Sequence, residues 1–243
     1  MPFADNLAAF YISGDESDVG SALGWGTNIR RLLSSANPAS GIAAVSQHGT
    51  GGTTTRLINP YTNSATTGAN DGDYGWAVDP VDMGSGPESR RYIPAGDHTF
   101  NLVFQRTAGS QTGSAVSVKI WRVASAANSY ALTEFASGST SFNSSTSNVT
   151  VNFAVACPRI DFGDSETIAY TFQESVSGAT FVGNNMRFRG GTVSGEEVKI
   201  THPGLRTGRL PGLLRLNADG RIECVNAFPD ETPTGAIRLV AVE

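Results

Sequence analysis

Hydrophobic and polar residues alternate in several short stretches of the chain. The alternation is clearest in residues 100–105 and 116–121, which are separated by a loop rich in Gly, Ser and Thr at residues 107–114. The apolar members are Phe100, Leu102, Phe104, Val116, Val118 and Ile120. A period of two residues predicts strands with one buried face. We therefore expect residues 90–123 to form an antiparallel hairpin in the middle of a β-sandwich.

The same alternation continues through the second half of the chain. Its most regular examples are residues 149–155 and residues 167–174. A connection rich in Ser, Thr and Asn is expected between residues 135 and 149. Shorter strand-like pieces occur at residues 42–47, 53–58, 130–135, 160–162, 185–188 and 197–201. Turn signals separate the pieces at the spacing of an all-β sandwich or jelly roll. The predicted fold is all-β, with an antiparallel, jelly-roll-like β-sandwich at residues 74–202.

The N-terminal segment, residues 1–73, lacks this regular alternation. Residues 26–35 are compatible with a short helical turn, or with a strand that packs Trp25 inward. Residues 34–75 form a long stretch rich in Gly, Thr and Asn. A loop of this kind in a compact domain is usually functional, flexible or an interaction arm. We expect this stretch to be an extended arm that lies on a neighbouring subunit.

The C-terminal segment, residues 203–243, is predicted to be a small β-hairpin contact unit. Residues 217–220, with the sequence NADG, separate the apolar residues 213–216 from residues 221–225. Asp and Gly accept the left-handed backbone of tight turns, so this stretch is a strong hairpin signal. A last strand is expected at residues 236–242.

Composition adds a weakly charged surface to this picture. The chain has 243 residues, a net charge of −5 and a charged fraction of 16 %, whereas soluble domains usually have about 25 % charged residues. A polar surface with little charge suits a protein that packs against neighbours in a durable assembly. The negative balance argues against nucleic-acid binding, which needs clustered Lys and Arg.

Targeting and membrane-spanning segments are not apparent in the sequence. Residues 1–15 lack the basic start and the apolar core of a signal peptide. No window approaches the roughly 18 apolar residues that a membrane span needs. We therefore expect a protein that folds in a cytoplasm and binds no membrane.

Residues that often carry chemistry do not form a recognisable motif. His48, His98 and His202 have no metal-ligand spacing and are expected at the surface or in turns. Cys157 and Cys224 are expected to be two buried thiols, and a bridge between them stays open. No nucleophile elbow of the G-x-S-x-G type occurs. We predict no cofactor, no metal and no enzymatic activity.

Two groups of acidic residues are expected to be loop and turn residues. The first group surrounds a turn signal and contains Asp161, Asp164, Glu166 and Glu174. A pair from this group could in principle hydrolyse a glycoside, but solvated turn acids are the favoured interpretation. The second group precedes the sandwich and contains Asp71, Asp73, Asp79 and Asp82. It could offer oxygen ligands to calcium, but it lacks the residue order of an EF-hand loop.

Aromatic and basic residues are the candidates for binding surfaces. An aromatic platform for a sugar ring could include Trp76, Tyr92, Trp121 and Tyr130. Aromatic residues on strands usually belong to the core, but Trp121 lies opposite the apolar face of its own strand. We therefore expect Trp121 to face a partner. Three further candidate assembly contacts are Arg206, Arg209 and Arg215.

Four segments together resemble structural proteins of known virions. They are residues 75–80 (GWAVDP), 91–100 (RYIPAGDHTF), 118–123 (VKIWRV) and 166–170 (ETIAY). The shared order is a Pro/Gly turn, a strand, a Gly/Ser loop and a second strand that ends near an aromatic residue and Arg. In this order the chain is similar to the jelly-roll or β-sandwich structural proteins of tailed bacteriophages.

The resemblance covers about residues 75–175. It implies a virion component that is assembled in symmetric copies in the host cytoplasm and that has no catalytic residue. Its expected partners are other copies of the chain and the capsid or tail lattice, as a head decoration or a tail protein. The alternative is a carbohydrate-binding or receptor-binding module that holds a glycan on the same sandwich.

Overall fold

Strands account for nearly all of the chain whose structure is described. The structure is a computed structural model, and it describes residues 7–12, 29–35, 46–47, 55–58, 75–83, 90–106, 111–126, 129–163, 165–176, 186–193, 195–208, 214–216 and 222–224. The predicted all-β class is confirmed, since one short helix, α1 (Pro80–Met83), is the only helix within these ranges.

The strands follow one another along the chain with short connections in the second half. In order they are β1 (Leu7–Tyr11), β2 (Ile29–Arg31), β3 (Ser46–Gln47), β4 (Thr55–Leu57), β5 (Gly75–Ala77), β6 (Arg90–Ile93), β7 (Gly96–Arg106), β8 (Gln111–Ala126), β9 (Ser129–Ser144), β10 (Val149–Cys157), β11 (Ile160–Phe162), β12 (Glu166–Val176), β13 (Met186–Arg189), β14 (Thr192–Val193), β15 (Glu196–Glu197), β16 (Lys199–Gly208), β17 (Leu214–Leu216) and β18 (Ile222–Cys224).

Two large sheets contain most of these strands. The first has the order β11-β6-β16-β7-β13-β3, with β1 also paired to β16 and β10 to β7. The second has the order β2-β5-β12-β8-β9, with β4 also paired to β12. Two small pairs, β14-β15 and β17-β18, complete the described sheets. Neighbouring strands are antiparallel apart from the parallel pair β2 and β5.

The predicted hairpin at residues 90–123 is wrong, although both of its strands are present. Strand β7 pairs with β10, β13 and β16 of the first sheet. Strand β8 pairs with β9 and β12 of the second sheet. The two strands therefore lie in opposite sheets, and their apolar faces meet across the core. A period of two fixes which face of a strand is buried but does not identify its neighbour.

The expected connection between residues 135 and 149 is also different in the structure. Strand β9 continues through the Ser- and Thr-rich residues to Ser144 and pairs with β8 over most of its length. Ser137, Ser139 and Ser141 occupy exposed positions of a ladder in which β9 pairs with β8. Polar composition therefore marks an exposed strand face here, not a loop.

The predicted division at residues 73 and 202 does not follow the sheets. Strands β1, β2 and β4 lie within residues 1–73, and they pair with β16, β5 and β12. The predicted boundary after residue 202 falls inside β16. Residues 29–31 form a strand, not the alternative helical turn. The predicted C-terminal hairpin is confirmed by β17 and β18, while residues 236–242 lie outside the described residues.

Aromatic side chains from both sheets interlock in the core. Trp76 on β5 contacts Phe172 and Phe188 edge-on, with ring centroids 5.5 and 5.3 Å apart. Phe100 on β7 also meets Phe172 edge-on at 6.0 Å. Edge-to-face contacts of this kind add to the stabilisation that burial provides. All four side chains have no exposed surface.

Close packing between the sheets also requires a glycine. Gly138 on β9 faces Val155 on β10, and a Cβ atom at residue 138 would lie 2.5 Å from Val155 Cγ2. The other methyl group of Val155 would be only 3.4 Å away. To clear the overlap, Val155 would have to leave its present rotamer or the two strands would have to separate.

We expect Gly138→Ala to destabilise the sandwich by about 1 to 3 kcal/mol, as overpacking of a filled interior does. Urea unfolding followed by fluorescence measures the change. The variant Ser139→Ala, on the exposed face of the same strand, is the matched control and should change stability by less than about 0.5 kcal/mol. Combining Gly138→Ala with Val155→Ala should restore part of the loss; purely additive effects would contradict the contact.

Candidate functional site

The two sheets end side by side in strands β9 and β10, which we call the β9/β10 edge. In the part of the chain that is described, β9 pairs only with β8 and β10 pairs only with β7. Within those described ranges, each strand thus has one row of backbone amide and carbonyl groups without a strand partner. Such rows can pair with a strand of another chain.

Partly exposed apolar side chains concentrate at the β9/β10 edge. Six such residues pack against the main core of the described chain: Leu7, Phe135, Ala136, Phe142, Val149 and Phe153. All except Leu7 belong to β9 or β10. Phe142 stacks on buried Phe104 with centroids 4.8 Å apart, and Phe153 stacks on buried Phe100 at 5.0 Å. The rings are thus held in place by the core while one side remains in contact with water.

Charge is nearly absent from the same edge. Glu134 is the only Asp, Glu, Lys or Arg in β9 and β10, and neither strand contains Pro. The Glu134 carboxylate lies 3.4 Å from Lys119 Nζ on the neighbouring strand β8. Edge strands of monomeric proteins are usually protected by charged residues, Pro or bulges. One of these protective features is present in β9: a bulge at Phe135, where the register with β8 shifts.

A shallow polar groove lies on the outer face of the second sheet, next to β9. Its volume is about 270 Å³, and its polar lining comes from Ser117, Lys119, Ser137, Ser139, Thr171 and Gln173. Hydroxyl, amide and ammonium groups converge here, so the groove can offer hydrogen bonds to a neutral polar ligand. Its volume is below the roughly 300 to 1,000 Å³ of most small-molecule sites.

The predicted exposure of Trp121 is wrong. The side chain is 7 % exposed, and its indole N–H donates a hydrogen bond of 2.9 Å to the Thr171 hydroxyl. It packs in a second apolar cluster on the outer face with Ile29, Ala77, Val123 and Ala169. Lys119 Nζ lies 5.4 Å from the centre of its ring. Trp121 points away from the main core, but this second cluster buries it. The alternation of apolar and polar residues along β8 does not reveal such a cluster.

The other members of the predicted aromatic platform do not form one. Trp76 has no exposed surface and Tyr92 is 3 % exposed. Tyr130 lies in β9, but its side chain is outside the described residues. The proposed stacking surface for a sugar is therefore absent from the described side chains.

The three candidate Arg contacts are only partly described. Arg206 lies on β16, opposite Tyr92, and is half-buried. Arg215 belongs to β17, but its side chain is outside the described residues, and so is all of Arg209. Their role as assembly contacts stays a prediction.

The expectation that His98 and His202 are surface or turn residues is wrong; His48 lies outside the described residues. His98 on β7 has no exposed surface, and His202 on β16 is 4 % exposed. His98 Nδ1 shares a hydrogen bond of 3.0 Å with the Tyr170 hydroxyl. The Gly204 backbone N–H donates to His202 Nδ1 at 3.2 Å, so the neutral His202 ring carries its proton on Nε2.

Burial keeps these two imidazoles neutral. Burial lowers the pKa of His98 to about 4. Burial, followed by the proximity of His98, lowers the pKa of His202 to about 3. The rings are 5.7 Å apart, and neither Nε2 atom has a hydrogen-bond partner. Two positive charges at this distance in the core would repel each other and lack solvation.

Other titratable groups near this pair are neutral as well. Burial raises the pKa of Tyr170 well above its usual value, and the nearby Cys157 raises it further. Cys157 is buried and free, as predicted, and burial raises its pKa to about 11. The backbone of Cys224 lies in β18, but its side chain is not described. The high pKa makes Cys157 a poor nucleophile.

The acidic residues differ in part from their predicted role as solvated turn acids. Asp161 is exposed and pairs with Arg159 Nη2 at 2.8 Å. Glu166 accepts a hydrogen bond from the Gly163 backbone N–H at 2.6 Å, which closes a turn. Glu174 contradicts the prediction, because it lies on β12 and has no exposed surface. Asp164 is outside the described residues.

The second acidic group is split between described and undescribed residues. Asp82, in α1, is 2 % exposed and accepts a hydrogen bond of 3.0 Å from Arg31 Nε on β2. Asp79 is half-buried, while Asp71 and Asp73 lie outside the described residues. Among the described residues, no group of three His, Cys, Asp or Glu could hold a metal ion. No helix in the same residues is long and apolar enough to cross a membrane.

No protein-family model and no curated protein sequence matches the chain. Among the surfaces that the described residues form, the β9/β10 edge is the most distinctive.

The buried His pair predicts a loss of stability in acid. Because both folded-state pKa values are below the unfolded value of about 6.5, the unfolded chain binds protons first as pH falls. The free energy of unfolding should be highest above pH 6.5 and should decrease as the pH falls toward 4. The slope should reach up to about 2.7 kcal/mol per pH unit, because two protons contribute about 1.4 kcal/mol each. Urea unfolding at a series of pH values measures this slope.

The double variant His98→Asn with His202→Asn is the control for that slope. Asn retains a polar group near the position of Nδ1 but does not titrate in this range. The variant should therefore be less stable at pH 7, but its free energy of unfolding should change less with pH between 6.5 and 4. An unchanged slope would show that other groups cause the acid sensitivity.

Proposed function

We propose that the chain is a non-enzymatic structural component of a tailed-bacteriophage virion, on the outer head surface or on the tail. It would act through contacts with copies of itself and with the capsid or tail lattice. The all-β sandwich agrees with the fold that the resemblance of residues 75–175 implies. The observation that carries the proposal is the nearly uncharged, partly apolar β9/β10 edge.

The edge needs a neighbour for physical reasons. Its unpaired backbone groups and half-exposed phenyl rings can both be satisfied by another protein surface. Phe142 and Phe153 are fixed by stacking on Phe104 and Phe100, so little side-chain freedom would be lost on contact. A binding surface that is already ordered gains more from the same buried area.

The overall charge of the chain suits repeated copies. Only 16 % of its residues are charged, and its net charge is −5 over 243 residues. Neighbouring copies would therefore repel one another weakly. Repetition on a symmetric lattice can then turn modest contacts into a durable shell. Assembly in the host cytoplasm and a final location in the virion belong to the same proposal.

A glycan-binding module remains the second candidate, and the polar groove on the outer face is the observation that favours it. Ser137, Ser139 and Gln173 could hydrogen-bond to sugar hydroxyl groups there. Against it, Trp121 is buried and offers no open ring face for stacking. Sugar recognition normally combines such a face with polar contacts. We therefore rank assembly first.

Light scattering on the purified chain tests assembly. We expect oligomers for the native chain and monomers for the double variant Ser141→Lys with Ala154→Lys, which adds one charge to an exposed position on each edge strand. Lys residues on an edge strand hinder its pairing with another strand, so charging both strands should weaken a contact at this edge. The variant Thr192→Lys with Thr201→Lys places two charges on exposed residues of β14 and β16, which are not edge strands of this surface, and should remain oligomeric. A monomeric native chain would contradict the proposal.

Isothermal titration with neutral oligosaccharides distinguishes the second candidate. We expect no heat of binding at millimolar sugar, because the groove is shallow and lacks a stacking face. Binding that disappears in Gln173→Ala but persists in the exposed control Thr192→Ala would instead favour a glycan-binding module. The two variants should be equally folded by circular dichroism.

A further inference from the structure

The middle of β9 has regular strand geometry that is suited to pairing with another strand. From Ala136 to Phe142 its register with β8 is continuous, running from Ala136 opposite Ile120 to Phe142 opposite Ser114. The bulge at Phe135 lies just outside this stretch. A segment of seven regular residues can therefore present an even row of amide and carbonyl groups to a second strand.

The side chains of this segment leave space for a neighbour. Ser137, Ser139 and Ser141 are exposed on the outer face. The inner face carries Ala136, Gly138, Thr140 and Phe142. No residue of the segment is charged and none is Pro. No charged side chain or Pro of this segment would therefore oppose a second strand at the usual separation of about 4.8 Å.

We propose that β9 pairs with β9 of a second copy of this chain, antiparallel and around a two-fold axis at Ser139. The six-stranded sheets of the two copies would then form one continuous sheet. This inference rests on the proposed function, because it names the partner and the geometry of the same β9/β10 edge.

Self-pairing around Ser139 matches large side chains with small ones. In an antiparallel pair centred there, Phe142 lies opposite Ala136 of the second copy, and Thr140 lies opposite Gly138 of the second copy. The half-exposed ring of Phe142 would gain cover on its open side, twice in each dimer. A centre at another residue would not bring Phe142 opposite Ala136 and would lose this match.

Electrostatics does not oppose pairing with a second copy. Glu134 is five residues from the axis, so the two copies of Glu134 would be about 34 Å apart at 3.4 Å per residue. Each Glu134 keeps its ion pair with Lys119 of its own chain. A two-fold axis presents the same edge to itself, so every amide can meet a carbonyl without any further partner.

Cysteine cross-linking measures this geometry in the full chain. Ser137→Cys, Ser139→Cys and Ser141→Cys are prepared separately, oxidised under mild conditions and separated without reductant. The native chain, which carries Cys157 and Cys224, is the background control. Ser139→Cys should give a band of twice the monomer mass of 25.4 kDa. The same residue in two copies would be about 14 Å apart at residues 137 and 141, beyond the Cβ separation of about 4 Å that a disulfide needs.

A mixture of Ser137→Cys and Ser141→Cys provides the decisive comparison. These residues face each other across the proposed axis, so the mixture should cross-link although neither variant does so alone. A short bismaleimide replaces oxidation where the backbone geometry prevents a disulfide. This keeps the outcome dependent on proximity and not on disulfide geometry.

The outcomes separate this inference from the proposed function. Equal cross-linking at all three positions indicates parallel pairing and overturns it. No cross-linking, while light scattering shows oligomers, also overturns it and leaves assembly through another surface. No cross-linking together with a monomeric native chain contradicts both proposals.

Discussion

The sandwich depends on the contact between its two sheets, to which the inner face of β12 contributes two fully buried aromatic residues. Tyr170 and Phe172 have no exposed surface and meet Phe100 of the opposite sheet at 5.9 and 6.0 Å. The same strand pairs with β8 on one side and with β4 and β5 on the other. Because β12 is held at both edges and on its inner face, the positions of the remaining strands follow from it. Burial of these rings provides the main stabilisation.

The fold class and most strands could be predicted from the sequence, because alternation reports burial directly. Residues 149–155 and 167–174 became β10 and β12 with the expected inner faces. Pairing could not be predicted in the same way. Strands β7 and β8 are consecutive in sequence, and each buries one face. Two strands of one hairpin and two strands on opposite sides of a core would show the same pattern. The choice depends on long-range contacts that a local pattern does not contain.

The candidate site was less accessible to prediction, since exposure also depends on distant residues. Trp121 is opposite the apolar face of β8, yet Ile29 and Ala169 cover that side. His98 and Glu174 are polar, yet both are buried on strands. The β9/β10 edge left one signal in the sequence, a stretch of Ser, Thr and Gly almost without charge. That composition also fits a loop, and only the pairing of β9 with β8 alone shows that it is an edge.

The core and the β9/β10 edge are parts of one continuous packing arrangement. Phe104 and Phe100 are buried, and the half-exposed Phe142 and Phe153 stack directly on them. A partner that covers the outer rings would remove apolar surface from water in the folded chain alone, because the unfolded chain has no such arrangement. Binding of that kind stabilises the fold by mass action. Weakening the aromatic core would in turn displace the outer rings and weaken the contact. With a charged, polar edge, the stability of the fold and the strength of association would be independent. The nearly uncharged edge of this chain makes each depend on the other.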